Sequence, residues 1–72
     1  MPRLYSSRHI VSVLERAGFD FVSQKGSHGK FKKGISTMVR TVIVPLAKRE
    51  IPYGTFRSIV RQSGLSEDEF KR

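Results

Sequence analysis

Apolar residues recur along the first third of the chain at helical spacing. Ile10, Val13, Leu14 and Ala17 stand at i, i+3, i+4 and i+7, which lines one face of a helix over Ser6 to Gly18. Ser6 or Ser7 precedes the stripe and can accept backbone N–H bonds at the helix start, and Gly18 suits the left-handed residue that closes it. The period then falls to two. Phe19 and Phe21 share one face of a strand over Phe19 to Gln24, and Lys25-Gly26-Ser27 reads as a tight turn. From His28 to Lys33 the pattern alternates again, with His28, Lys30 and Lys32 on one face and Gly29, Phe31 and Lys33 on the other. Gly34-Ile35-Ser36 reads as a second turn. The β-branched run Met38 to Val44 is a third strand, stopped by Pro45.

Leu46 to Gly54 carries Lys48, Arg49, Glu50, Pro52 and Gly54 and reads as a connecting loop. A second helix is predicted over Thr55 to Ser63, with Phe56, Ile59 and Val60 as its apolar stripe and Gly64 as its terminator. Ser66 to Glu69 has the spacing of a capping box, enough for a short terminal helical turn. The order is helix, three strands, helix, an α+β fold. A three-stranded antiparallel sheet has one face to cover, and two helices packed on that face would cover it, leaving the other to water or a ligand.

Length sets a limit on this picture. Seventy-two residues make one domain, spanning 1–72, and a chain this short buries only about 60% of the surface it exposes when unfolded. It has no cysteine, so neither a disulfide framework nor a thiolate metal site is available. No apolar run approaches the roughly 20 residues of a membrane span, so no membrane association is expected. No cofactor is expected either: glycine-rich phosphate loops are lacking, and Glu67-Asp68-Glu69 reads as charge at a helix start rather than as a metal cluster.

Charge changes the picture more. Fourteen Lys and Arg against six Asp and Glu give a formal net charge of +8, which favours an anionic partner, nucleic acid first and an acidic protein second. Lys25, Lys30, Lys32 and Lys33 fall within one stretch that contains no acid, and His28 sits among them. A solvated lysine-rich hairpin would explain that stretch, since lysine also discourages edge-to-edge strand pairing. Phosphate binding would explain it too. His28 has the same two readings, as an ordinary surface histidine or as a general base. A neutral imidazole can take the proton of an RNA 2′-hydroxyl, while nearby lysines and the Ser27 hydroxyl stabilise charge on the phosphoryl oxygens. His9, beside the apolar stripe of the first helix, reads as a packing or surface residue. Tyr53 and Phe56 could stack on bases, but Phe56 fits the second helix's core stripe.

The segments Leu14-Glu15-Arg16-Ala17-Gly18-Phe19, Gln24-Lys25-Gly26-Ser27-His28-Gly29-Lys30-Phe31, Val42-Ile43-Val44-Pro45 and Gly54-Thr55-Phe56-Arg57-Ser58-Ile59 through Leu65 together resemble the HicA family of bacterial toxins. The resemblance implies a fold similar to double-stranded RNA-binding domains and an mRNA endoribonuclease activity independent of the ribosome. It implies a single active-site histidine at His28, around which the cationic hairpin read from the residues themselves offers Lys25, Ser27, Lys30 and Lys32 for RNA binding, with no metal expected where clustered His, Cys or carboxylate ligands are lacking. It also implies a cytoplasmic setting, neutralisation by a HicB-like antitoxin, and contact with operator DNA only through that antitoxin. Many family members carry a second histidine directly after the first, where this chain has Gly29. A scheme in which two adjacent histidines share acid and base roles is therefore closed to it. Two rivals use the same fold: a non-catalytic RNA-binding module, and a toxin kept only for its protein partner.

Overall fold

The computed structural model describes residues 3–71, which form α1 (Ser7–Arg16), β1 (Asp20–Lys25), β2 (His28–Ile35), β3 (Met38–Pro45), α2 (Tyr53–Ser63) and α3 (Glu67–Phe70). The strands make one antiparallel sheet in the order β1-β2-β3. This is the α-β-β-β-α arrangement expected, similar to a double-stranded RNA-binding domain, with a short third helix appended.

α1 begins as its sequence suggests. The Ser6 side chain accepts a hydrogen bond from the His9 N–H at 3.1 Å, and Ile10, Val13 and Leu14 are buried along one stripe. α2 starts two residues earlier than its apolar stripe predicted, at Tyr53, and buries Phe56 and Ile59. Both stripes meet the inner face of the sheet, where Phe31, Val42 and Val44 lie in the same core. Two core residues come from outside the predicted stripes. Ile51 is fully buried in the loop before α2, where its N–H donates to the Tyr5 carbonyl at 2.8 Å. Phe70, also fully buried, hangs from α3, whose Ser66/Glu69 capping box is formed.

Three local features differ from the sequence pattern. The first turn is tighter than predicted: Lys25 stays in β1, and Gly26-Ser27 alone joins it to β2. Gly26 has φ 59°, the positive value a two-residue hairpin of this kind demands at its first position. The second turn is Ser36-Thr37, with Gly34 and Ile35 still paired in β2. The third difference is a β-bulge. Phe21 pairs with Phe31 and Ser23 with Lys30, so Val22 is an extra residue without a partner. Strict alternation would put Phe21, Ser23 and Lys25 on one face. The bulge shifts that phase, so Phe21 stands on the same side as Phe31, edge-on to its ring and half exposed, while Ser23 and Lys25 share the open face with Lys30 and His28.

Candidate active site

His28 is the first residue of β2, immediately after the Gly26-Ser27 turn. Its neighbour across the strands is Lys25 on one side and Pro45 on the other. Because Gly29, Phe31, Val42 and Val44 are buried against the helices, His28 and Lys30 must point to the opposite, uncovered face, and both are exposed there. Ser23, Lys25, His28, Lys30 and Ile43 together line a single open depression of about 480 Å³ on that face.

Ser27 sits within the turn itself. Its Oγ lies 3.5 Å from His28 Nδ1, at the outer limit of a hydrogen bond, and its carbonyl accepts from the Leu46 N–H at 2.7 Å. A second bond stiffens the turn, from Gln24 Nε2 to the Gly26 carbonyl at 2.9 Å. The histidine thus follows a short, doubly tied turn and cannot swing far with its backbone.

The other lysines separate into two groups. Lys32 lies on the same face but one pair further along the strand, outside the depression, between Asp20 and Thr41. An acid opposite Lys32 makes that end of the face less cationic than the His28 end. Lys33 faces the helices. Its Nζ donates to the Ala17 carbonyl at 2.5 Å and stands 5.9 Å from the Phe19 ring centroid, so the fold occupies it.

Sequence patterning missed two residues of the depression. Ser23 reaches it only because of the bulge at Val22, which no local signal announces. Ile43 was legible: Val42 and Val44 are core, so the residue between them must face out, opposite Lys30. It places an apolar surface among the cations.

Gly29 settles where a neighbouring histidine would point. A Cβ at this position would lie 3.1 Å from Leu46 Cδ1 and 3.3 Å from Phe31 Cε1, on the helix face. A side chain at 29 and the imidazole of His28 would therefore stand on opposite sides of the sheet. His9 has a structural role as well: its ring stacks on Tyr5 with centroids 4.7 Å apart, and its Nε2 donates to the Phe70 carbonyl. Tyr53 is half-buried beside Phe56, with its hydroxyl 3.4 Å from Glu67 Oε1. Phe56 is core.

Among the described residues no helix is long and apolar enough to cross a membrane. No curated protein matches the chain. A family model described as the HicA toxin of bacterial toxin–antitoxin systems matches residues 7–65. The matched stretch runs from the first residue of α1 to just beyond the Gly64 cap of α2, and takes in the whole sheet with His28. With most of its length matched, the chain belongs to the HicA toxin family.

Proposed function

We propose that this protein is an mRNA-cleaving endoribonuclease toxin in which His28 is the general base. The observation that carries the reading is the placement of an exposed imidazole between Lys25 and Lys30 in one open depression, on the face no helix covers. His28 would take the proton of a ribose 2′-hydroxyl. The 2′-oxygen then bonds to the adjacent phosphorus as the bond to the 5′-oxygen breaks, and the leaving 5′-oxygen takes up a proton, from water or from the His28 imidazolium, giving a 2′,3′-cyclic phosphate and a 5′-hydroxyl. The Lys25 and Lys30 ammonium groups would hold the phosphoryl oxygens as their charge grows, with the Ser27 hydroxyl adding a donor from the turn. Ile43 gives a base an apolar surface to rest on. Lys32, further along the face, would meet a neighbouring phosphate.

The same face is where neutralisation would act. A HicB-like antitoxin with an acidic surface would cover the depression and offset part of the +8 charge, in the cytoplasm, with operator DNA reached only through the antitoxin. The decisive experiment incubates the purified protein with a long mRNA in EDTA. Cleavage to 2′,3′-cyclic phosphate ends is expected, falling at least about 100-fold in His28→Ala. That side chain is exposed, so the variant should keep its fold. Undiminished cleavage by a folded His28→Ala protein would remove the assigned role. No cleavage by the wild type would leave a binding module.

A further inference from the structure

A second cationic surface lies at the same end of the sheet as His28 but on another side of the molecule. The segment after β3 leaves the sheet at Pro45, opposite His28, and Leu46 is tied to the Gly26-Ser27 turn by the bond from its N–H to the Ser27 carbonyl. The chain then turns against the start of α1. Buried Ser7 fixes it there: its Oγ donates to the Pro45 carbonyl at 2.6 Å and accepts from the Lys48 N–H at 3.0 Å, and its own N–H donates to the Lys48 carbonyl at 2.9 Å. Between these anchors Ala47 adopts φ 61°, a left-handed conformation that a non-glycine residue holds only when its surroundings impose it.

What this anchoring creates is an open groove of about 670 Å³ between α1 and the 46–49 segment. Arg8 from α1 and Lys48 and Arg49 from the segment line it, all three exposed. Among the described residues none of the three has an ion pair or a side-chain hydrogen bond. The acid in the groove, Glu15, is two helical turns from Arg8, about 10 Å along the axis. The helix start offers little by itself, because the Ser7 and His9 N–H groups are already bonded within the protein. Three unpaired cations on a rigid scaffold, one hydrogen bond removed from the catalytic turn, match the chemistry of a phosphodiester backbone.

We propose that this groove binds the phosphates of the substrate RNA strand beyond the scissile bond, through Arg8, Lys48 and Arg49. The strand would pass from the His28 depression over the Gly26-Ser27 turn and into the groove. The role rests on RNA being the ligand of the His28 face. Lys48 lies two residues beyond Leu46, no more than about 7 Å of extended chain, so the path needs only a few nucleotides.

The test measures binding in the His28→Ala protein, so that cleavage does not interfere, with single-stranded RNAs of about four and about twelve nucleotides. The longer RNA should bind at least about tenfold more tightly. Adding Arg8→Gln, Lys48→Gln and Arg49→Gln together should remove that advantage and leave the affinity for the shorter RNA as it was. The slope of log K against log salt for the longer RNA should shrink by about 2, for three lost contacts to a single strand. The single variant Arg49→Glu should move both readings in the same direction, and it decides the matter if the triple variant melts early. Unchanged length dependence and salt slope, in a protein that still binds RNA, would overturn the groove and spare the His28 reading. Failure of the parent protein to bind either RNA would overturn both.

Discussion

Lys33 and Arg40 stand directly opposite each other on β2 and β3, and each reaches the C-terminus of a different helix. Lys33 Nζ bonds the Ala17 carbonyl at the end of α1. Arg40 Nη1 lies 3.4 Å from the Gln62 carbonyl near the end of α2, its guanidinium close over Gly64. A cation at a helix C-terminus meets unsatisfied carbonyls and the negative end of the helix dipole. One cross-strand pair thus ties both helices to the inner face of the sheet.

This arrangement divides the lysine-rich hairpin into two roles that mutation should separate. Lys33→Ala should lower stability by about 1 kcal/mol or somewhat more, through the lost carbonyl bond and the lost contact of its ammonium with the Phe19 ring, with RNA cleavage by the folded protein unchanged. Lys30→Ala should do the reverse, lowering cleavage by about tenfold while stability stays within about 0.5 kcal/mol. Thermal melts and cleavage rates measured on both variants check the pair of outcomes. Equal effects of the two on cleavage would contradict the division.

The two hairpins differ in how well their sequence suits their turn. Both are two-residue turns, and in both the first turn residue has positive φ: Gly26 at 59° and Ser36 at 55°. Glycine accepts that conformation freely, whereas serine is strained there. Ser36→Gly should therefore raise stability by about 1 kcal/mol, or roughly 4–8 °C in Tm for a domain of this size. Gly26→Ala should lower it by about 1–2 kcal/mol, although nothing stands within 4 Å of the added Cβ. Ser36 lies at the end of the sheet away from His28, so Ser36→Gly should not alter cleavage.

The family match ends at Leu65, but the core does not. Phe70 is fully buried, its ring edge-on to Phe56 with centroids 5.4 Å apart, and its carbonyl accepts from His9. Phe70→Ala should cost about 3–5 kcal/mol, a large share of the 5–15 kcal/mol that holds a small domain folded. Ending the chain at Leu65 should cost at least as much. Circular dichroism of the truncated protein checks this: a cooperative melt near that of the full chain would show that α3 is dispensable.

Periodicity carried most of this fold because the two helices and β3 each have a one-sided apolar pattern that only one packing satisfies. Ile10, Val13 and Leu14 were visible as one stripe, and Val42 and Val44 as one face. Phe70 and Ile51 were not, since each is a lone apolar residue whose burial depends on where the chain returns. The candidate site was half legible. The alternation of His28 and Lys30 against Phe31 follows from strand geometry alone. The position of Lys25 beside His28 depends on the bulge at Val22, a tertiary choice of register. The groove at Arg8, Lys48 and Arg49 joins residues forty positions apart and could be seen only once Ser7 was found bonded to Pro45 and Lys48.

Gly29 offers the sharpest test of how the site is built. A histidine introduced there would extend toward Leu46 and Phe31, where a single added carbon already stands 3.1 Å from a methyl group. An imidazole needs several times that space. Gly29→His should thus displace Leu46 and destabilise the protein by about 1–3 kcal/mol, as overpacking does. Leu46 is bonded through its N–H to Ser27, so its displacement should also loosen the turn that holds His28. Cleavage should fall rather than rise, even at temperatures where the variant is fully folded. A faster Gly29→His enzyme would mean that the second imidazole reaches the outer face, and the strand geometry at His28 would need another account.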